Sequence, residues 1–395
     1  MKLLTFSTLF PNQEQPNHGI FVETRLKYLV ASGKVSARVV APVPWFPSAA
    51  KRFGTYAGYA RVPRREQRHG LEITHPRYLS LPKIGMSVAP LLLAQSTKRE
   101  IGRILDEGYD FDLIDAHYYF PDGVAAVMLG KHFNKPVVVT ARGSDINLLP
   151  QFTLPRRMIL WAARNAHGSI TVCQALKDEM ARLGVAPGSV TVLRNGVDLQ
   201  RFGLLERDAI RAELGLQRFT LLSVGLLAEL KGHALIIEAL PQMPDVDLMI
   251  AGQGPDRARL EAQARELGLA DRVTFLGSVP QPELKRYYNA ADALVLASSR
   301  EGWANVLLES MACGTPVVAS DVGGSGELVT EPAAGVLMRE RSVRGLVEAV
   351  HALRAGAPAR SATRSFAERF SWDATTDGQL ALFDRILGTR QQRPA

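Results

Sequence analysis

Two glutamates with seven residues between them, Glu301 and Glu309, lie in the segment SREGWANVLLESMACGTPVVA from Ser299 to Ala319. The apolar run Val306, Leu307, Leu308 and Met311 has helical spacing, Asn305 is a good N-cap residue, and Gly314 is a stop signal. A helix is therefore expected from near Asn305 to Gly314, with Glu301 ahead of it and Glu309 about one turn inside. The carboxylates then stand on the order of 10 to 15 Å apart, with a helix N-terminus between them. Free N–H groups and the positive dipole end at that terminus attract phosphate. A nucleotide diphospho-sugar fits this arrangement: sugar hydroxyls on Glu301, diphosphate over Trp303, Asn305 and Val306, ribose hydroxyls on Glu309. The competing reading makes Glu301 a cap and Glu309 a solvated polar position.

The elements that must carry these residues follow from pattern. Apolar runs at Ala293–Ala297 and Pro316–Ala319 flank the segment as buried strands. An exposed pair Gly302-Trp303 and the glycines Gly323, Gly324 and Gly326 are expected on the same sheet edge, where ligands of open parallel sheets bind. Upstream, Met1–Thr8 reads as a strand, Gly19 as a strand-to-helix turn, and Ile20–Ala31 as a helix. That glycine serves either a plain turn or close backbone approach to phosphate. Strands follow at 37–43, 71–79, 111–117, 136–140, 169–172 and 190–193, and a second set at 219–224, 247–250 and 273–276, with helical patterns mostly between. Such alternation predicts α/β architecture with doubly wound parallel sheets. Gly252-Gln253-Gly254 forms a tight turn before a helix opened by Pro255, and this turn, with Gly277–Val279, can approach a nucleobase.

Length and composition set limits. The chain has 395 residues, which favours two domains, and 46% hydrophobic with 22% charged residues is ordinary for a globular protein. The uncharged stretch Ile84–Thr97 is too short to span a bilayer. Cys173 and Cys313 sit far apart in apolar contexts and read as reduced thiols; with no signal-like start, a cytoplasmic location is expected. Net charge is +8, concentrated in a basic first half that includes Arg61–His69, with Lys98, Arg99 and Arg103 on a helix; the second half is mildly acidic. No nucleic-acid module accompanies the basic residues, so no nucleic-acid partner is expected. An anionic membrane surface, with peripheral attachment to the inner membrane face, suits them, beside the apolar Pro90–Ala94; a solvated basic surface is the alternative.

The form E-G-x-x-x-x-x-x-E followed by M-A-C-G-T-P-V-V-A resembles the signature of the retaining glycosyltransferases of family 4, and the resemblance extends over nearly the whole chain. It implies the GT-B fold: two Rossmann-like domains facing a cleft, residues 1–195 on the acceptor side and 196–371 on the donor side, with a C-terminal helix at 372–390 returning to the first. LRNGVDLQRF, Leu193–Phe202, resembles the interdomain linker. The resemblance implies that Gly19 contacts the donor, that His117 in DLIDAHYYF faces the donor sugar, and that Lys231 in VGLLAELKG grips the diphosphate. Leu226 stands where relatives commonly have arginine, and Arg142 in TARGSD stands where they often have histidine. Arg142 suits a phosphate of donor or acceptor, or an ion pair with Asp145; Arg142, Arg194 or Arg300 could replace the charge missing at Leu226.

The implied activity is transfer of a hexosyl unit from a UDP- or GDP-linked sugar to a saccharide or lipid-linked acceptor in cell-surface polysaccharide or glycolipid synthesis, with retention. His117, Glu301 and Lys231 are the catalytic candidates; Gly19, Arg142, Gly252, Val279, Trp303, Asn305, Val306 and Glu309 are the donor-binding candidates. No cofactor beyond the co-substrate and no metal is expected, and no Asp-x-Asp element occupies a suitable loop. The alternatives are a catalytically silent nucleotide-sugar-binding subunit and a nucleotide-sugar 2-epimerase. A nicotinamide enzyme is disfavoured because no G-x-G-x-x-G follows the first strand.

Overall fold

The computed structural model describes residues 1–80 and 85–391, so Ile84, at the head of the uncharged stretch, lies outside the described residues. The chain divides into two compact units, Met1–Arg194 with the segment from Asp373 onward, and Asn195–Trp372.

In the first unit the strands are β1 (Lys2–Phe6), β2 (Ser36–Val40), β3 (Val43–Pro44), β4 (Arg65–Arg68), β5 (Leu71–Thr74), β6 (Arg77–Tyr78), β7 (Leu113–His117), β8 (Val137–Ala141), β9 (Gly168–Thr171) and β10 (Val190–Val192). Eight of them form one sheet in the order β10-β9-β8-β7-β1-β2-β5-β4. Every pairing is parallel except β4 with β5. The central β7, β8 and β9 are buried along their whole length, which is why they read as continuous apolar runs. The helix Ile20–Ala31 packs Val22 and Leu26 with Phe10, Val39 and Ile73. The C-terminal helix Trp372–Gln391 sends Leu380, Leu382, Phe383 and Ile386 into a core with Leu3, Leu113, Val138 and Ile170.

Expectation and structure differ here in two places. The strands expected over 37–43 and 71–79 each break in two, because β3 and β6 leave the main sheet and pair as a separate ribbon. The basic run Arg61–His69 contains an antiparallel edge strand, β4; charged edge residues are a common guard against unwanted pairing.

The second unit has β11 (Phe219–Val224), β12 (Val246–Ala251), β13 (Val273–Gly277), β14 (Ala293–Leu296), β15 (Val317–Ser320) and β16 (Gly335–Met338). All are parallel, in the order β13-β12-β11-β14-β15-β16. Numbered from its own first strand, this is the 3-2-1-4-5-6 arrangement of doubly wound nucleotide-binding sheets. The helix Asn305–Ala312 ends in a Schellman motif: Thr315 N–H donates to Ser310 C=O at 3.0 Å and Gly314 N–H to Met311 C=O at 2.8 Å. Gly314 adopts the left-handed conformation this needs, with φ +75°. The helix expected to open at Pro255 begins instead at Arg257, with Asp256 in the N-cap position and no side-chain cap bond.

Candidate active site

In the second unit, winding reverses between β11 and β14, and the loops leaving these neighbours part at the sheet's carboxyl edge. The β11 loop reaches a short 3-10 turn, Glu229–Lys231, closed by Gly232 at φ +72°. A Cβ on Gly232 would stand 2.1 Å from the Ala297 carbonyl oxygen at the end of β14, so only glycine lets the turn lie this close. That approach places Lys231 Nζ 2.6 Å from Glu301 Oε1, which also accepts from Ser298 Oγ at 2.7 Å. On the other side, Gly324 N–H donates to Gly302 C=O at 2.9 Å, and a Cβ on Gly323 would meet the Glu301 carbonyl at 2.0 Å. The Glu301 loop is thus held between two glycine contacts, with its carboxylate on an ammonium. Such a pair joins an acceptor for hydroxyls to a cation for phosphate.

The neighbouring helix departs from expectation in two ways. Its N-cap is Ala304, with no side-chain cap bond, and Asn305 is its first helical residue; Asn305 Oδ1 accepts from Asn195 Nδ2 at 3.2 Å. Trp303 is buried, at 6% exposure, and not exposed as the Gly-Trp pair suggested. Its Nε1–H donates to Asn195 C=O at 3.0 Å and its ring packs near Phe370, so the indole braces the loop. Val306 occupies the first helical turn. Glu309 is buried, its carboxylate accepting from Tyr288 Oη at 2.9 Å and Gln281 Nε2 at 3.1 Å. Burial raises its pKa, and the Tyr288 and Gln281 bonds oppose the rise. Arg201 in turn donates to Gln281 Oε1 at 2.5 Å. Gly252 joins the β11 and β12 loops: its Cβ would fall 1.8 Å from the Gly225 carbonyl oxygen. Val279 is half-buried between β13 and the helix Gln281–Ala290.

Leu226 is 55% exposed, while its carbonyl lies 3.2 Å from His233 Nε2. With Nε2–H donating there, His233 Nδ1 accepts from Ser223 Oγ at 3.0 Å. Burial pushes the His233 pKa down to about 4, so the ring is a neutral brace.

The first unit repeats the pattern, with its switch between β1 and β7. Gly19 caps the helix Ile20–Ala31 at φ +67°, where a Cβ would meet the Leu9 carbonyl at 2.3 Å. His117, the last residue of β7, is buried: Arg142 Nη2 lies 2.7 Å from its Nδ1, and its Nε2 is 3.4 Å from Asp115 Oδ2. Burial pushes the His117 pKa down to about 4; Asp115 opposes this and Arg142 reinforces it. Arg142 also stands over the Phe21 ring. Loop ordering falls to the Asp145 carboxylate, which accepts backbone N–H bonds from Arg142, Gly143 and Tyr119. Asp115, Arg25 and Gln379, which complete this cluster, were not singled out from sequence. Asp115 had a signal, since residues i and i+2 of a strand share a face; Gln379, from the far end of the chain, had none.

The family model described as "Glycosyltransferase Family 4" matches residues 30–201, and "Glycosyl transferases group 1" matches residues 206–370. A protein of Bacillus subtilis described as the teichuronic acid biosynthesis glycosyltransferase TuaC is 31% identical over 366 residues, 89% of this chain and 88% of that one. The chain belongs to the family 4 glycosyltransferases. Among solved structures, this glycosyltransferase resembles sucrose-phosphate synthase of Thermosynechococcus elongatus, with TM-score 0.81, 21% identity, and 98% and 99% of the two chains covered. It also resembles Anabaena HepE in complex with UDP-glucose, with TM-score 0.70, 21% identity and 99% of each chain covered. These likenesses establish the two-domain GT-B fold.

Proposed function

We propose that this glycosyltransferase moves a hexosyl unit from a UDP-linked sugar to a saccharide or lipid-linked acceptor in cell-surface polysaccharide or glycolipid synthesis, with retention and without a metal ion. The observation that carries the proposal is the Lys231–Glu301 pair, 2.6 Å apart at the switch point of a 3-2-1-4-5-6 sheet. Support for the donor comes from the HepE complex with UDP-glucose, and for the acceptor class from the name of the Bacillus relative. Glycosyl transfer develops oxocarbenium character at C1 and negative charge on the departing diphosphate. Lys231 and the N–H groups opening the helix Asn305–Ala312 stabilise that charge; Glu301 orients sugar hydroxyls and Glu309 the ribose. His117 contributes to sugar orientation, and Gly19, Arg142, Gly252 and Val279 to the donor's surroundings. In a front-face course the C1–phosphate bond breaks, the acceptor oxygen bonds to C1 on the same face, and its proton passes to the leaving phosphate oxygen.

Incubation with UDP- and GDP-sugars and saccharide acceptors, with and without EDTA, tests this. Expected is a product of unchanged anomeric configuration by NMR, made from a UDP-sugar and insensitive to EDTA. A UDP-sugar that raises Tm yet is never transferred would establish a silent binding subunit instead. Conversion of the donor without acceptor would establish an epimerase.

We propose further that the first unit attaches peripherally to an anionic membrane surface, through a different stretch from the basic run considered above. Arg61, Arg65 and Arg68 engage Glu14, Glu107 and Glu23, which spends much of their charge. The segment from Val43 to Ala60 contains no acidic residue, and it exposes Trp45 (51%), Phe53 (38%) and Tyr56 (57%) beside exposed Lys51 and Arg52. Exposed aromatics with cations suit the bilayer interface. Among the described residues no helix is long and apolar enough to cross a membrane. Co-sedimentation with phosphatidylglycerol vesicles, lost with phosphatidylcholine and in K51E/R52E, is the expected result; equal binding to both lipids would refute the attachment.

A further inference from the structure

Four buried side chains besides His117 form one hydrogen-bonded run through the first unit. Arg25 lies on the helix Ile20–Ala31, Asp115 on β7, Arg142 directly after β8, and Gln379 on the C-terminal helix. Arg25, Asp115, His117 and Gln379 are each no more than 2% exposed, and Arg142 is 9% exposed. Arg25 Nε donates to Gln379 Oε1 at 2.8 Å. Because a guanidinium has no acceptor, this contact fixes which way the Gln379 amide faces. Its Nε2 then donates to Asp115 Oδ2 at 3.0 Å. At the other end, Arg142 Nη2 lies 2.7 Å from His117 Nδ1. By the same rule Nδ1 must accept, so the ring proton sits on Nε2, which faces Asp115 Oδ2 at 3.4 Å.

The polarity of the run is therefore dictated from both ends by arginines and meets at one carboxylate oxygen. Arg25 is fully buried, and Asp115 acts to keep it charged against the desolvation that pulls its pKa down to about 10. Removing Asp115 would leave two buried cations without this counter-charge.

We infer that Asp115 and Gln379 are positioning residues that hold His117 as the Nε2–H tautomer with Nδ1 aimed at Arg142, and thereby fix both groups for glycosyl transfer. The inference rests on the reading of His117 as a residue of the transfer site. It also gives the C-terminal helix a role beyond packing: Gln379 ties that helix to Asp115 on β7 by a hydrogen bond.

Side-chain 15N spectra of His117 decide the tautomer in the unmodified full-length protein, with no variant and no substrate. The expected result is protonation at Nε2 alone across pH 6 to 8, and protonation at Nδ1 would overturn the inference. Gln379→Met keeps the volume and removes both hydrogen bonds. In that variant, folded by circular dichroism, Arg142 still faces Nδ1 and the Nε2–H tautomer should persist, but the Nε2–H signal should shift and broaden because Asp115 Oδ2 has lost its Gln379 bond, and kcat should fall about tenfold with the donor KM unchanged. An unchanged Nε2–H signal, or an unchanged kcat, would overturn it. If the wild-type protein transfers no sugar, the proposed function fails, while the tautomer measurement still reports on the His117 geometry.

Discussion

Lys231 and Glu301 form a partly buried pair in which either partner alone would keep a charge that the other now offsets. K231A and E301A should each lower turnover by roughly two orders of magnitude or more. The double variant should lose little beyond the worse single, because the two act as a unit; initial rates of sugar transfer check both, and wild-type rates in the singles would sink the assignment. His117 yields a prediction in pH. Its folded-state pKa, about 4, lies below the ordinary 6.5, so between those values the unfolded chain binds a proton that the folded chain refuses. The stability tied to the neutral ring is complete above pH 6.5 and lost as pH falls towards 4, in all about 3 kcal/mol. Asp122 runs the other way: burial raises its pKa to about 7 from 3.8, so its contribution declines as pH rises through that range. The check is the difference in urea stability between wild type and H117Q at each pH, which should grow from pH 4 to 6.5 and then level off. At this scale Glu301 and Glu309 could be named as candidates from residue type and spacing, and His117 and Lys231 from the family resemblance. The partners Tyr288, Gln281 and Gln379 could not, because a side chain's choice among possible acceptors depends on burial and distance; Asp115 offered only its place two residues before His117 on one strand.

Helix Ile20–Ala31 and strand Phe219–Val224 carry the bounds expected from pattern at both ends. Both have a glycine at one boundary, Gly19 before the helix and Gly225 after the strand, so local chemistry and global packing agree. Elsewhere packing overrode local preference. Asn305 was the natural cap, yet it became the first helical residue, with its amide turned to Asn195. β4 was hidden because its residues, Arg65–Arg68, are charged and join only an edge. β16, Gly335–Met338, is too short to announce itself before β15 is there to pair with it. The glycine contacts are predictions in their own right. Gly232 and Gly268 have nearly equal φ, +72° and +68°, but a Cβ on Gly268 meets nothing within 4 Å whereas one on Gly232 meets the Ala297 carbonyl. Gly268→Ala should cost about 1 kcal/mol from backbone strain alone. Gly232→Ala should cost at least about 2 kcal/mol more, and should also reduce turnover, since the turn carries Lys231. Urea titration of both variants beside wild type isolates the contact term; equal losses would mean that the β11 loop can retreat from β14 freely.

For the whole molecule, chain order and spatial membership differ, since the last helix belongs to the unit built from the first half. Ending the chain after Trp372 would strip Leu380, Leu382, Phe383 and Ile386 from the first core. At about 2 kcal/mol for each buried side chain, the loss is about 8 kcal/mol, comparable to the stability of an entire domain. The truncated protein should therefore lose the first unit to limited proteolysis while residues 195–372 persist as a resistant fragment. A resistant first unit would show that the helix is dispensable. Ligand linkage gives a second expectation: UDP should raise Tm in a concentration-dependent way, by RT ln(1 + [L]/Kd) in stability, and GDP should do so less. The family, the alternating α/β pattern and the glutamate pair were legible from the sequence, because apolar period, glycine turns and short motifs are local properties of a chain. The hydrogen-bonded run from Arg25 to Arg142, the buried Trp303 and the 3-2-1-4-5-6 order were decided only by tertiary structure. Each depends on which distant segments become neighbours, and it is at such contacts that desolvation selects one partner for every buried polar group.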